Sequence, residues 1–148
     1  MSSPSLIFDH VGIVVRDLAQ GLQSITTLLP IVSRTVRFDD PNLGVSVQFL
    51  QDKSGMVYEL IAPLGMGSPV DKVASSRTSV INQLAYRVEN IAQAGEHFRS
   101  NGATPTGLPK PAVAFDGAAI QFFYMPQGFF VELIEAASFS HRFQPVGT

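Results

Sequence analysis

Residues 7 to 15, IFDHVGIVV, and 81 to 88, INQLAYRV, are short runs rich in β-branched and aromatic side chains, and each predicts a strand. Each run is followed by a residue able to cap a helix, Asp17 or Asn90. Apolar positions at helical spacing come next: Leu18, Leu22, Ile25 and Leu29 in one stretch, Ile91, Ala94 and Phe98 in the other. Asn101-Gly102 predicts where the second helix stops. Further extended pieces are expected at 33–38, 44–51 and 56–61, and again at 104–108, 117–124 and 129–135. Residues 62–80, APLGMGSPVDKVASSRTSV, read as a Pro/Gly/Ser-rich connection with a short helix around Val70 to Ala74.

The two halves follow one plan, and their residues show why. Sliding the chain against itself by 73 positions matches Val15 with Val88, Ala19 with Ala92 and Gln20 with Gln93. It also matches Gly44 with Gly117, Gln48 with Gln121, Phe49 with Phe122 and Gly55 with Gly128, and the triplet Glu59-Leu60-Ile61 with Glu132-Leu133-Ile134. An ungapped match of this length is the mark of an internal repeat. The expected architecture is therefore α+β, with two βαβββ modules in tandem. They span 5–62 and 80–136, are joined by connection 63–79 and are followed by a tail, 137–148. A four-stranded sheet covered by one helix leaves its other face open. Pairing the modules about a pseudo-twofold axis would turn both open faces toward a shared cleft.

Composition narrows the function classes. Charged residues are only 15% of the 148, hydrophobic residues are 45%, and the net charge is -2, which argues against a nucleic-acid binder and for a small-molecule partner. The absence of cysteine removes disulfides, thiolate catalysis and thiolate metal sites. No apolar run reaches the ~20 residues of a membrane span, and MSSPSLIFDH lacks the features of a signal peptide. A soluble cytoplasmic protein without membrane partners is expected. The 11 phenylalanines favour an apolar pocket or a buried interface.

Against that apolar background two carboxylates stand out. Strand alternation puts Glu59 on the face of Val57 and Ile61, and Glu132 on the face of Phe130 and Ile134. A buried carboxylate must be paired with a cation or neutralised. The first strands supply candidate partners, His10 and its repeat equivalent Gln83. If the first and last strands of a module are neighbours, His10 falls near Glu59 and Gln83 near Glu132. One imidazole, one amide oxygen and two carboxylates balance a divalent cation. The mixed N/O set suits Zn, Ni, Co, Mn or Fe better than Ca. Such an ion would polarise a carbonyl while a neighbouring glutamate moves a proton. Gln48 and Gln121 are expected to share a structural role, and His141 lies in a tail, SFSHRFQPVGT, that could fold over the cleft mouth or be mobile.

The double βαβββ pattern, the opening DHVGIVVRDLAQ and the ELI strand ends resemble the vicinal oxygen chelate superfamily, which includes glyoxalase I, methylmalonyl-CoA epimerase, extradiol dioxygenases and bleomycin-resistance proteins. Within it, YELIAPLGMGSPVDKV followed by NQLAYRVENI is most similar to methylmalonyl-CoA epimerases. The resemblance implies metal ligation by His10, Glu59, Gln83 and Glu132. It also implies proton transfer by Glu132, with Glu59 as the alternative base, in an isomerase or lyase acting next to a carbonyl or thioester, and a homodimer. Glu59 and Gln83 depart from the epimerase pattern, which usually has Gln and His at these places. The family's additional glutamate base, expected on the strand around 44–50, has no counterpart beyond Ser46 and Gln48. Two other readings stand beside this one: a lactoylglutathione lyase-like enzyme, for which Arg34, Arg37 and Lys110 are unassigned substrate contacts, and a metal-free protein that sequesters an apolar compound.

Overall fold

The computed structural model describes residues 3–74 and 80–147. Eleven strands form a single sheet among the described residues: β1 Ile7–Val14, β2 Ile31–Arg34, β3 Phe38–Asp40, β4 Val45–Asp52, β5 Val57–Pro63, β6 Val80–Val88, β7 Thr104–Pro105, β8 Lys110–Ala112, β9 Ala118–Tyr124, β10 Phe130–Glu135 and β11 Gln144–Pro145. The helices are α1 Leu18–Leu28, α2 Asp71–Ala74 and α3 Ile91–Ser100. Asp17 and Asn90 cap α1 and α3 as expected, their side chains accepting from the amides of Gln20 and Gln93. Gly102, at a φ of 96, supplies the left-handed turn after α3. The short helix α2 lies in the connection, of which residues 75–79 fall outside the described residues.

Strand order runs β11-β2-β4-β5-β1-β6-β10-β9-β7, with β3 on β4 and β8 on β9. The first and last strands of each half are parallel neighbours, β1 with β5 and β6 with β10, and the halves meet where β1 pairs antiparallel with β6. Alternation along each strand then sorts the core into three groups. Leu50, Leu60 and Ala62 pack with Leu18 of α1. Phe123, Val131 and Leu133 pack with Ile91 and Ala94 of α3. The opposite face, with Val47, Phe49, Ile61, Ile120 and Ile134, forms the third. Leu60 and Leu133 thus lie under their helices, while Glu59 and Glu132, one residue earlier, point the other way.

Two predicted strands differ from the structure. The run 33–38 divides into β2 and β3, because the register against β4 slips by one residue between Arg34↔Leu50 and Phe38↔Val47. The run 104–108 ends early: β7 stops at Pro105, the Thr106 N–H still donates to the Phe122 carbonyl at 3.0 Å, and residues 107–109 lie outside the ladder before β8 resumes the pairing with β9. Gln48 and Gln121 hold these two equivalent detours, their side-chain amides donating to the carbonyls of Thr35 (2.7 Å) and Gly107 (2.9 Å). The pair does share a structural role.

Candidate active site

Glu59 stands opposite Gly12 in the β1–β5 register, and Glu132 opposite Ala85 in the β6–β10 register. His10 and Gln83 are therefore diagonal to the acids rather than directly across from them. The arrangement is pseudo-symmetric, since His10 pairs with Ala85 and Gly12 with Gln83 across the β1–β6 seam. All four side chains are buried. His10 Nε2 lies 3.2 Å from Glu59 Oε1 and 3.5 Å from Glu132 Oε1. The Gln83 amide donates to Glu132 Oε1 at 3.0 Å and to Glu59 Oε1 at 3.3 Å. Each half thus contributes one acid and one nitrogen-bearing side chain to a single cluster.

Gly12 makes room for this. A Cβ on Gly12 would lie 2.5 Å from Gln83 Cγ and 3.1 Å from Ile61 Cδ1. Gly12→Ala is expected to push Gln83 away from the acids and to destabilise the protein by about 1–3 kcal/mol. Urea unfolding checks it, and an unchanged midpoint would show that the amide has room to spare.

Electrostatics reflect the crowding of charge. Burial pushes the Glu132 carboxyl up to about 7, with the Glu59 charge adding to the rise and His10 opposing it. Burial alone would lower His10, but the charge of Glu59 and the hydrogen-bonding carboxylates around the ring raise it well above its ordinary value. The resulting set is sound chemistry for a divalent cation. His10 Nε2 is buried, makes no well-formed hydrogen bond and faces both carboxylates. Two carboxylates, an imidazole and an amide whose half-turn presents Oε1 satisfy both the charge and the N/O preference of such an ion.

The cluster lies against a cleft of about 370 Å³ whose wall includes Glu59, Gln83 and Glu132 together with Val47, Ile61, Ile120 and Phe122. On β4 the residues lining it are Val45 and Val47, whereas Ser46 binds Arg37 and Asp39, and Gln48 binds Thr35. Neither Ser46 nor Gln48 supplies a further base. Of the unassigned cations only Lys110 lines the cleft; Arg37 pairs with Asp39 at 2.9 Å.

Sequence reasoning missed the groups behind His10. Asp9 Oδ2 lies 2.6 Å from His10 Nδ1 and 2.7 Å from His141 Nε2, and Asp9 Oδ1 lies 3.0 Å from Arg87 Nε. Adjacent residues on a strand normally face opposite ways. Here β1 bulges at Asp9, where the register passes from Phe8↔Tyr86 to His10↔Ala85, so both side chains are turned inward. His141 is not at the cleft mouth: it packs on Phe49 and Phe115, with ring centroids 4.3 and 5.5 Å away.

Residues 9–124 match the family model of the glyoxalase/bleomycin resistance protein/dioxygenase superfamily. The chain belongs to this superfamily. Among its relatives is an ethylmalonyl-CoA/methylmalonyl-CoA epimerase from Cereibacter sphaeroides, 32% identical over 129 residues, which are 86% of this chain and 93% of that one. The crystal structure of methylmalonyl-CoA epimerase from Mycobacterium tuberculosis superposes with a TM-score of 0.72 at 27% identity, covering 90% of this chain and 91% of that chain. A hypothetical protein from Bacillus halodurans C-125 superposes with a TM-score of 0.77 at 26% identity over 93% and 99% of the two chains. The α+β vicinal oxygen chelate fold expected from the sequence is thus the fold observed. No helix among the described residues is long and apolar enough to cross a membrane.

Proposed function

We propose that this protein is a divalent-metal-dependent isomerase that moves a proton on the carbon beside an acyl thioester, in the manner of an acyl-CoA epimerase. The observation that carries the reading is the convergence of His10 Nε2, Glu59 and Glu132 at 3.2 and 3.5 Å, with Gln83 between the acids, at the wall of an apolar cleft. The similarity to acyl-CoA epimerases supports the substrate class.

In this reading His10, Glu59, Glu132 and the Gln83 amide oxygen hold the ion. An ion held by these residues would supply Lewis-acid stabilisation of the charge that develops on a carbonyl oxygen when the neighbouring proton leaves. Glu132 is the proton carrier. In the metal-free site burial raises its carboxyl to about 7; a bound cation would lower it and leave the carboxylate, at the wall of the cleft, as the acceptor of the proton. Glu59 Oε1, on the other side of the Gln83 amide, is the alternative. Val45, Val47, Ile61 and Phe122 exclude water around an aliphatic acyl group, and Lys110 offers a positive charge to an anionic portion of the ligand. Cytoplasmic location and pairing into a homodimer belong to the same proposal.

A second reading draws on one observation: the β4 wall of the cleft is entirely apolar, with Val45 and Val47 where a further base would be useful. A protein that merely sequesters an apolar compound would need no base there. Deuterium uptake separates the two. Protein loaded with a divalent ion in D2O is expected to introduce deuterium at the α-carbon of a branched acyl-CoA, and chelation should stop it. Tight binding of apolar compounds without exchange into any acyl-CoA or hemithioacetal would favour sequestration.

A further inference from the structure

The buried Asp9 and the partly buried His141 and Arg87 form a cluster that the proposed reaction does not use. Asp9 is 8% exposed, and its carboxylate meets three cationic or N–H-bearing side chains. One is His10, its chain neighbour. Arg87, from β6, faces Asp9 Oδ1 and also donates through Nη1 to the carbonyl of Ala137 at 2.6 Å. The third, His141, comes from the tail, which crosses the sheet and ends as β11 on the edge of β2. The tail thus forms a strap fixed at Ala137, at His141 and at β11. Its aromatic side chains Phe139 and Phe143 flank His141, with ring centroids 5.2 and 5.5 Å from it.

We propose that this C-terminal strap positions the His10 imidazole, with His141 holding the Asp9 carboxylate that orients the ring. Asp9 accepts from His10 Nδ1, so Nε2 is the nitrogen turned toward Glu59 and Glu132. Phe49 stands edge-on to the His10 ring at 5.1 Å and confines it from the side. Because the Asp9 carboxylate lies on a bulge, the strand ladder does not fix its direction; His141 and Arg87 do. A hydrogen-bonded carboxylate behind a ligating imidazole sets ring orientation and basicity, and losing such support commonly weakens metal binding by about 10- to 100-fold. His141 is a positioning residue in this account and touches neither substrate nor ion.

The inference rests on the metal reading for its first measurement and is independent of it for its second. His141→Phe keeps an aromatic ring in the cluster and removes the donor to Asp9. His141→Gln keeps a donor at about the same reach. Calorimetric titration of chelator-stripped protein with Co2+ or Zn2+ is expected to show about 10- to 100-fold weaker binding in His141→Phe, with His141→Gln within about threefold of the unsubstituted protein. Binding by His141→Phe within twofold of the unsubstituted protein, or equal weakening in both variants, would overturn the proposal. The second measurement follows the His10 Nδ1 proton in metal-free, 15N-histidine-labelled protein. A slowly exchanging downfield signal is expected in the unsubstituted protein and in His141→Gln, and its loss is expected in His141→Phe. Persistence of that signal in His141→Phe overturns the proposal. If the unsubstituted protein takes up no divalent ion, the metal reading fails and the proton signal alone decides the role of the strap.

Discussion

Glu132→Gln is expected to slow deuterium exchange at the α-carbon of an acyl-CoA by about 10²- to 10⁴-fold at saturating divalent ion, the range associated with loss of a positioned acid–base group. The fold should survive. Glutamine has the same shape, and the site already favours an uncharged group at this position, since burial raises the Glu132 carboxyl to about 7. Removing one carboxylate also weakens the hold on the cation, so the rate must be read along a metal titration and not at one concentration. Glu59→Gln is the informative comparison. If Glu132 carries the proton, Glu59→Gln should lose mainly metal affinity and recover most of its rate when the ion is in excess. A Glu132→Gln protein that exchanges within threefold of the unsubstituted rate would remove Glu132 from the role of base.

The second large effect concerns stability of the metal-free protein against pH. Glu132 is raised from 4.5 to about 7, so its stabilising contribution is fully present below pH 4.5 and is lost progressively as pH rises through 7. His10 is raised from 6.5, and its contribution too is lost toward alkaline pH. Asp9 runs the other way. Burial would raise it, but hydrogen bonds from His10 and His141 hold it well below the usual carboxylate range, so its contribution is present above 3.8 and lost in acid. The metal-free protein should therefore weaken by roughly 2–3 kcal/mol between pH 5 and pH 8 on account of Glu132 alone. Chelator-treated protein unfolded in urea at the two pH values measures this, and Glu132→Gln should flatten the dependence. Equal stability of the unsubstituted protein at both would contradict it. At pH 8 a divalent ion at a thousandfold its dissociation constant should add about 4 kcal/mol.

Much of this arrangement was readable beforehand because it depends on repetition and alternation. The triplet at Glu59-Leu60-Ile61 recurs at Glu132-Leu133-Ile134, and a period of two along a strand sends the leucines to the helices and the acids to the cleft. Asp17 and Asn90 were legible as caps because the helix start has a local chemical signature. Register slips have none. The bulge at Asp9 and the detours at 35–37 and 107–109 depend on how one strand meets its neighbour, and the isolated segments carry no such information. DHVG did place an acid beside the histidine, but alternation would send Asp9 to the opposite face. His141 was harder still, since its tail has no periodicity and its partner is 132 residues away.

The antiparallel seam between β1 and β6 has an evolutionary corollary. A half-length ancestor could have built this basin only by pairing with another copy of itself, and both copies would then have offered the same side chain at the places now held by His10 and Gln83. Within one polypeptide that constraint does not hold. One position could keep an aromatic nitrogen while its twin became an amide, and one flank could acquire a trailing segment that the other lacks. A flat ligand lying across the seam would therefore meet different chemistry on its two sides, a handedness of environment that a true twofold axis forbids.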